Sequence, residues 1–181
     1  PKEVLIDISV LQSLPKNELR SGYAEIVKHA LINDYSFFCW LENNANKLLN
    51  LNRYILEKAI YKSIMIKLIY VVNDEKEILL NKNSRAMLNF GHTIGHAIES
   101  HYNYKKYNHG ESISIGMITE AKISNYLGLL SSVELERIIT HFKKCRLKIT
   151  WSCAAISFRL SSQSLLLKGF LHCCAPIFYT Q

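Results

Sequence analysis

Along most of the chain, apolar positions recur every three or four residues between short polar connections, which is the spacing of helices with one buried face. The opening stretch KEVLIDISVLQSLP lacks that spacing and predicts a short strand and a turn, closed by Pro15, which disfavours helix at Leu14 before it. From Lys16 the pattern turns helical. Asn17 or Ser21 is placed to cap a helix through GYAEIVKHALI, and DYSFFCWLENNANKLLN and LEKAIYKSIMIKLIYVV predict two more. NDEKEILLNKNS is a polar connection, RAMLNFGHTIGHAIES reads as the next helix, and HYNYKKYNHG is a loop carrying His109. Two further helices follow in ESISIGMITEAKISNYLGLL, closed by Gly128, and in SSVELERIITHFKKCRL. The expectation is a mainly α fold, a helical bundle over residues 1–150 that is nearly all helix from 16 to 145.

From Trp151 to Gln181 the character changes. This segment has no Asp or Glu, carries only Arg159 and Lys168 as fixed charges, and holds three of the five cysteines. It is read as a divergent tail, 151–181, non-native or disordered, following a single helical domain. At 181 residues, 49% hydrophobic and 20% charged, the chain is long enough to bury one substantial core. The net charge of +7 is dispersed, without a basic run or a basic–aromatic repeat, so it favours small anions over nucleic acid. No apolar run reaches the ~20 residues of a membrane span, and the first residues do not resemble a signal peptide, so the expected location is cytoplasmic. An odd number of irregularly spaced cysteines does not suggest a disulfide framework.

The chemistry concentrates in RAMLNFGHTIGHAIES. Read as one helix, it puts Arg85, Asn89, His92 and His96 on one face, expected to line an internal cleft. His92 and His96 are an H-x-x-x-H pair, which suits a divalent metal. The position after the first His is Thr93 and not the Glu of a hydrolytic zinc site, which makes a peptidase a poor reading. Gly91 and Gly95 weaken a helix and so imply close approach of another backbone or a ligand. Arg85 and Asn89 add anion-binding chemistry, and His109 in HGES can complete a metal shell from outside. A carboxylate should join it, either Glu99 on the same face or Glu25 in GYAEIVK.

Together LPKNELRSGYAEIVKHALI, VVNDEKE, RAMLNFGHTIGHAIES and HGESISIGM, in that order, resemble the C-terminal, metal-binding half of 3-dehydroquinate synthase, an enzyme of the shikimate pathway of aromatic amino-acid biosynthesis. The resemblance runs over about residues 1–150. It implies a zinc ion, or another divalent metal such as cobalt, held by Glu25, His92 and His109, with Glu99 the fallback. It also implies substrate contacts from Lys28, Lys67, Arg85 and Asn89. His96 matches the proton-transfer histidine, the alternative being a third metal ligand. Glu77 matches a second acid–base residue, although ILLNKNS makes the connection to Arg85 longer than the family's. The NAD contact before Leu-Pro corresponds to Val10, Leu11, Gln12 and Ser13, and Ser21 stands where the family offers asparagine to the cofactor.

The implied reaction converts 3-deoxy-arabino-heptulosonate 7-phosphate to 3-dehydroquinate with loss of phosphate, using NAD, in an enzyme that is a homodimer at full length. The family's N-terminal NAD-binding half has no counterpart here, and no glycine-rich dinucleotide loop occurs among the seven glycines. The resemblance therefore implies a fragment, inactive alone. Two other readings are a different sugar-phosphate cyclase or iron-type polyol dehydrogenase, and a non-catalytic helical remnant.

Overall fold

Short polar side chains set most of the helix starts. In the computed structural model, which describes residues 3–79, 81 and 83–151, six α-helices run in order. They are α1 (Lys16–Asn33), α2 (Tyr35–Leu49), α3 (Arg53–Asn73), α4 (His92–His101), α5 (His109–Tyr126) and α6 (Ser132–Lys144). Asp34 accepts from the Phe37 amide to cap α2, and Asn52 accepts from the Ile55 amide to cap α3. Capping boxes, Asn108 with Glu111 and Ser131 with Glu134, open α5 and α6. Gly128, at φ +73°, follows the end of α5 in the left-handed conformation.

The bundle is assembled around α1. Its Tyr23, Val27 and Leu31 are buried against α2, α3 and α5, in a core that includes Phe37, Phe38, Leu41, Phe90, Met117 and Phe142. A polar pin, His29 Nδ1 to Ser63 Oγ at 2.6 Å, ties α1 to α3 inside that core. A smaller cluster, Ile94, Ile98 and Ile115, joins α4 to α5 and takes Trp151 against its side.

Four local readings change. The expected opening strand is absent from the described residues: Ile8–Ser13 form a 3-10 helix capped by Asp7, whose carboxylate accepts from the Ser9 amide, so local hydrogen bonding wins over β-propensity. Helix α1 begins at Lys16, directly after Pro15, so neither Asn17 nor Ser21 caps it and Ser21 lies inside it. His109 opens α5 instead of lying in the preceding loop. Most consequentially, RAMLNFGHTIGHAIES is not one helix. Arg85–Asn89 form a 3-10 helix, Gly91 turns the chain at φ +80°, and α4 begins at His92. The expectation of a divergent tail falls, from residue 152 onward, outside the described residues.

Glycine allows α4 and α5 to touch. A Cβ on Gly116 would meet the Gly91 carbonyl oxygen at 1.9 Å, and one on Gly110 would meet the Ser21 Cα at 2.3 Å. These contacts set α5's first turns directly against α1 and the start of α4, and every histidine of interest lies at that junction.

Candidate metal centre

The break at Gly91 aims His92 away from the 3-10 turn and toward α1. From α4, His92 presents Nε2 at 3.8 Å from Glu25 Oε1, and His109, from the first turn of α5, presents its own Nε2 to the same oxygen at 3.8 Å. All three ligand atoms lie within 4.8 Å of one another, which puts each within about 2.5 Å of a common point.

Hydrogen bonds orient each group. His92 Nδ1 lies 3.2 Å from the Phe90 carbonyl, which can only accept, so the proton sits on Nδ1 and the Nε2 lone pair faces Glu25. His109 Nδ1 donates in the same way to Glu99 Oε1 at 2.9 Å. On Glu25 the two oxygens divide their roles. Oε2 accepts from Lys28 Nζ at 2.6 Å, while Oε1 is buried with no hydrogen-bond partner among the described residues. A buried carboxylate oxygen without a donor is costly, and two imidazole lone pairs facing it make the shortfall worse. A cation at the common point satisfies all three, so the donor set of one carboxylate and two neutral imidazoles fits a divalent metal.

The electrostatics agree. Burial works to raise the Glu25 carboxyl, but the Lys28 ammonium beside it prevails and holds it below its ordinary range. Burial, with Lys28 adding to it, pushes His92 down to about 4, so its ring is neutral at pH 7. Lys28 itself is lowered by burial against the opposing pull of Glu25.

Other expected site residues fall nearby or apart. The His96 ring lies 5.3 Å from that of His92 but its side chain is 61% exposed, with Nε2 4.0 Å from Glu99 Oε2. Exposure therefore rises across the site, from His92 at 15% through Glu25 at 31% to His109 at 48% and His96. Lys67 is exposed on α3, near enough to Lys28 and His29 to act on their protonation. Asn89 and Glu77 pair with each other, and Arg85 turns to Glu75. Asn89 Nδ2 donates to Glu77 Oε1 at 3.1 Å, and Arg85 Nη1 donates to the Glu75 carbonyl at 3.1 Å. Ser21 Oγ accepts from the Gly110 amide at 2.9 Å, one residue from His109. Val10, Leu11, Gln12 and Ser13 lie in the opening 3-10 helix, where Gln12 lines a small cavity with Leu51, Arg53 and Leu56.

Three acids carry positions that the sequence reading assigned otherwise or passed over. Glu99, only 6% exposed, sits behind His109 and not beside Glu25. Asp74 is buried and accepts from the backbone amides of Ile78, Leu79 and Arg85, folding the 74–85 connection around one carboxylate. Glu120, on α5, accepts from the Gly91 amide at 2.8 Å, fixing the turn that launches His92, and burial raises it to about 7. Nothing in the sequence marked it, because its role depends on which face of α5 packs against α4.

The sequence profile of the family described as "3-dehydroquinate synthase C-terminal" matches residues 22–166. The chain belongs to that family. It is 45% identical over 138 residues to the 3-dehydroquinate synthase of Desulforamulus reducens, covering 76% of this chain and 37% of that one. It is 46% identical over 149 residues to the one from Buchnera aphidicola, covering 82% and 40%. It is 42% identical over 156 residues to the one from Acinetobacter baylyi, covering 86% and 41%. Among solved structures, ValA, the 2-epi-5-epi-valiolone synthase of Streptomyces hygroscopicus with NAD+ and Zn2+ bound, superposes with a TM-score of 0.75 at 25% identity, covering 83% of this chain and 41% of that one. The chain is mainly α, as expected, and spans about two fifths of the length of the curated relatives it matches. No helix of the described residues is long and apolar enough to cross a membrane.

Proposed function

We propose that this chain is the metal- and substrate-binding portion of a 3-dehydroquinate synthase, a cytoplasmic, homodimeric lyase of the shikimate pathway. At full length it converts 3-deoxy-arabino-heptulosonate 7-phosphate to 3-dehydroquinate with loss of phosphate. The observation that carries this reading is the buried Glu25 Oε1, without a donor and faced by the Nε2 atoms of His92 and His109.

In this reading Glu25, His92 and His109 hold zinc, or another divalent ion such as cobalt. A zinc ion held there would supply Lewis-acid polarisation of a substrate oxygen, and NAD would supply reversible hydride chemistry. Lys28 keeps Glu25 ionised and stands beside the metal as a cation for the substrate. Lys67, Arg85 and Asn89 bind its anionic groups, while Val10, Leu11, Gln12, Ser13 and Ser21 meet the cofactor. His96, at the open rim and next to Glu99, moves a proton to and from a substrate oxygen, and Glu77 serves as the second acid–base group. The ValA resemblance supports a second reading, a cyclase acting on another sugar phosphate, but identities of 42–46% to 3-dehydroquinate synthases against 25% to ValA favour the first.

The test joins the chain behind the N-terminal part of the Acinetobacter baylyi relative and measures zinc content and phosphate release with NAD. One zinc per chain and activity with the heptulosonate phosphate are expected. His92→Ala should lose the metal, while His96→Ala should keep it and lose turnover by ~10²-fold or more. Equal zinc loss in both variants overturns the division of roles, and turnover only of other sugar phosphates overturns the substrate.

A further inference from the structure

His109 stands between two carboxylates. Its Nε2 lies 3.8 Å from Glu25 Oε1 on the inner side, and its Nδ1 lies 2.9 Å from Glu99 Oε1 on the outer side. The inner side is the centre described above. The outer side completes a second trio, because His96, four residues beyond His92 on α4, brings Nε2 to 4.0 Å from Glu99 Oε2. One ligand atom from each of His96, Glu99 and His109 lies within 4.8 Å of the other two, so a point exists within about 2.8 Å of all three.

Glu99 is the group that asks for a cation there. Its side chain is 6% exposed, yet its only ion-pair partners among the described residues are these two histidines, with no Lys or Arg beside it. Glu25, by contrast, is paired with the Lys28 ammonium. A carboxylate so deeply placed without a fixed positive charge is costly, and an ion at the outer point offsets that cost.

The tautomer of His109 links the two positions. A neutral imidazole has one lone pair, so this ring binds an ion through Nδ1 or through Nε2 and not through both. With the ion outside, Nδ1 is the ligand and the proton sits on Nε2, facing Glu25 Oε1. With the ion inside, the proton sits on Nδ1 and is donated to Glu99 Oε1. The exchange moves one ion inward and one proton, through solvent at the half-exposed ring, outward; the ring stays neutral. The inner position is the tighter, since there Glu99 supports the ring from behind. The outer position, with the more exposed His96, is the more accessible.

We infer that His96, Glu99 and His109 form a capture position, where a divalent ion from solvent is held before His109 passes it to Glu25 and His92. The inference rests on the metal reading proposed above and adds a route to it. Once the ion is inside, His96 is released for proton transfer.

Stopped-flow uptake and release of zinc by the metal-free 181-residue chain, followed with a fluorescent zinc indicator, is the test. A step on the route speeds both directions alike. His96→Ala should therefore slow uptake and release by at least tenfold each and leave the dissociation constant within about threefold. A ligand of the resting ion behaves otherwise, since its loss speeds release. His92→Ala, which breaks only the inner trio, should lose tight zinc but keep a weak position for cobalt, and His92→Ala combined with His96→Ala should lose that too, with helical circular dichroism unchanged throughout. Unchanged rates in His96→Ala, faster release from it, or cobalt binding by His92→Ala that is absent or indifferent to His96 overturns the capture position alone. A parent chain that takes up no zinc overturns the metal reading beneath it.

Discussion

Replacing Gly116 by alanine should separate α4 from α5 and damage the proposed metal centre without touching any of its side chains. The added Cβ would lie 1.9 Å from the Gly91 carbonyl oxygen, 2.8 Å from its carbonyl carbon and 3.1 Å from its Cα. Ordinary contact begins near 3.4 Å, so the two helices must move apart by about 1.5 Å. Every obstructing atom is backbone, so no rotamer change relieves the overlap. Overpacking of this kind costs 1–3 kcal/mol, and a clash with backbone belongs at the upper end, about 3 kcal/mol. For a domain of this size that is a fall in melting temperature of roughly 10 °C.

The site feels the same displacement. His92 follows Gly91 directly and His109 lies two turns before Gly116 on α5, so the shift moves one proposed ligand relative to the other. Metal–ligand bonds tolerate only ~0.2 Å, and zinc affinity should drop tenfold or more. Gly22→Ala is the matched control: nothing lies within 4 Å of its added Cβ, and in the middle of α1 it should stabilise by about 1 kcal/mol. Thermal melts followed by circular dichroism in chelator, with zinc titrations of the refolded proteins, measure both effects. A Gly116→Ala protein that melts within about 2 °C of the parent and binds zinc equally well would refute the reasoning.

Two further outcomes follow from other residues. Glu99→Ala should weaken zinc binding by 10- to 100-fold in a calorimetric titration, because His109 loses the carboxylate that fixes its tautomer, while Glu99→Gln, which still accepts from Nδ1, should lose less; equal affinity in Ala and parent would contradict the role of Glu99. His141, hydrogen-bonded to the Tyr23 hydroxyl at 2.8 Å, is pushed down to about 4 by burial, against about 6.5 in the unfolded chain. Between those values the unfolded state binds a proton that the folded state refuses, so stability should fall as pH drops from 6.5 to 4, by up to about 3 kcal/mol for this residue. Urea unfolding of His141→Phe across that range should show a shallower acid slope, and an unchanged slope would count against it.

Helix content and the order of elements could be read from the sequence because they rest on local rules. Apolar spacing of three and four marks α2, α3, α5 and α6, and the caps Asp34, Asn52, Asn108 and Ser131 are short polar residues at the helix starts. The motif match brought Glu25, His92 and His109 forward from separate segments. Periodicity could not decide between Glu25 and Glu99, since Glu99 shares a helical face with His92 while Glu25 lies 67 residues earlier. That choice depends on packing: Gly116 against Gly91 brings α5 onto α4, Gly110 against Ser21 brings it onto α1, and only then does Glu25 Oε1 face two imidazoles while Glu99 supports one from behind. Tertiary contact likewise broke the expected single helix at Gly91, where the Glu120 carboxylate captures the amide from across the helix pair. Spacing along a chain specifies which residues share a face. Which faces meet is set by close approach of distant backbones, and that is a property of the assembled bundle.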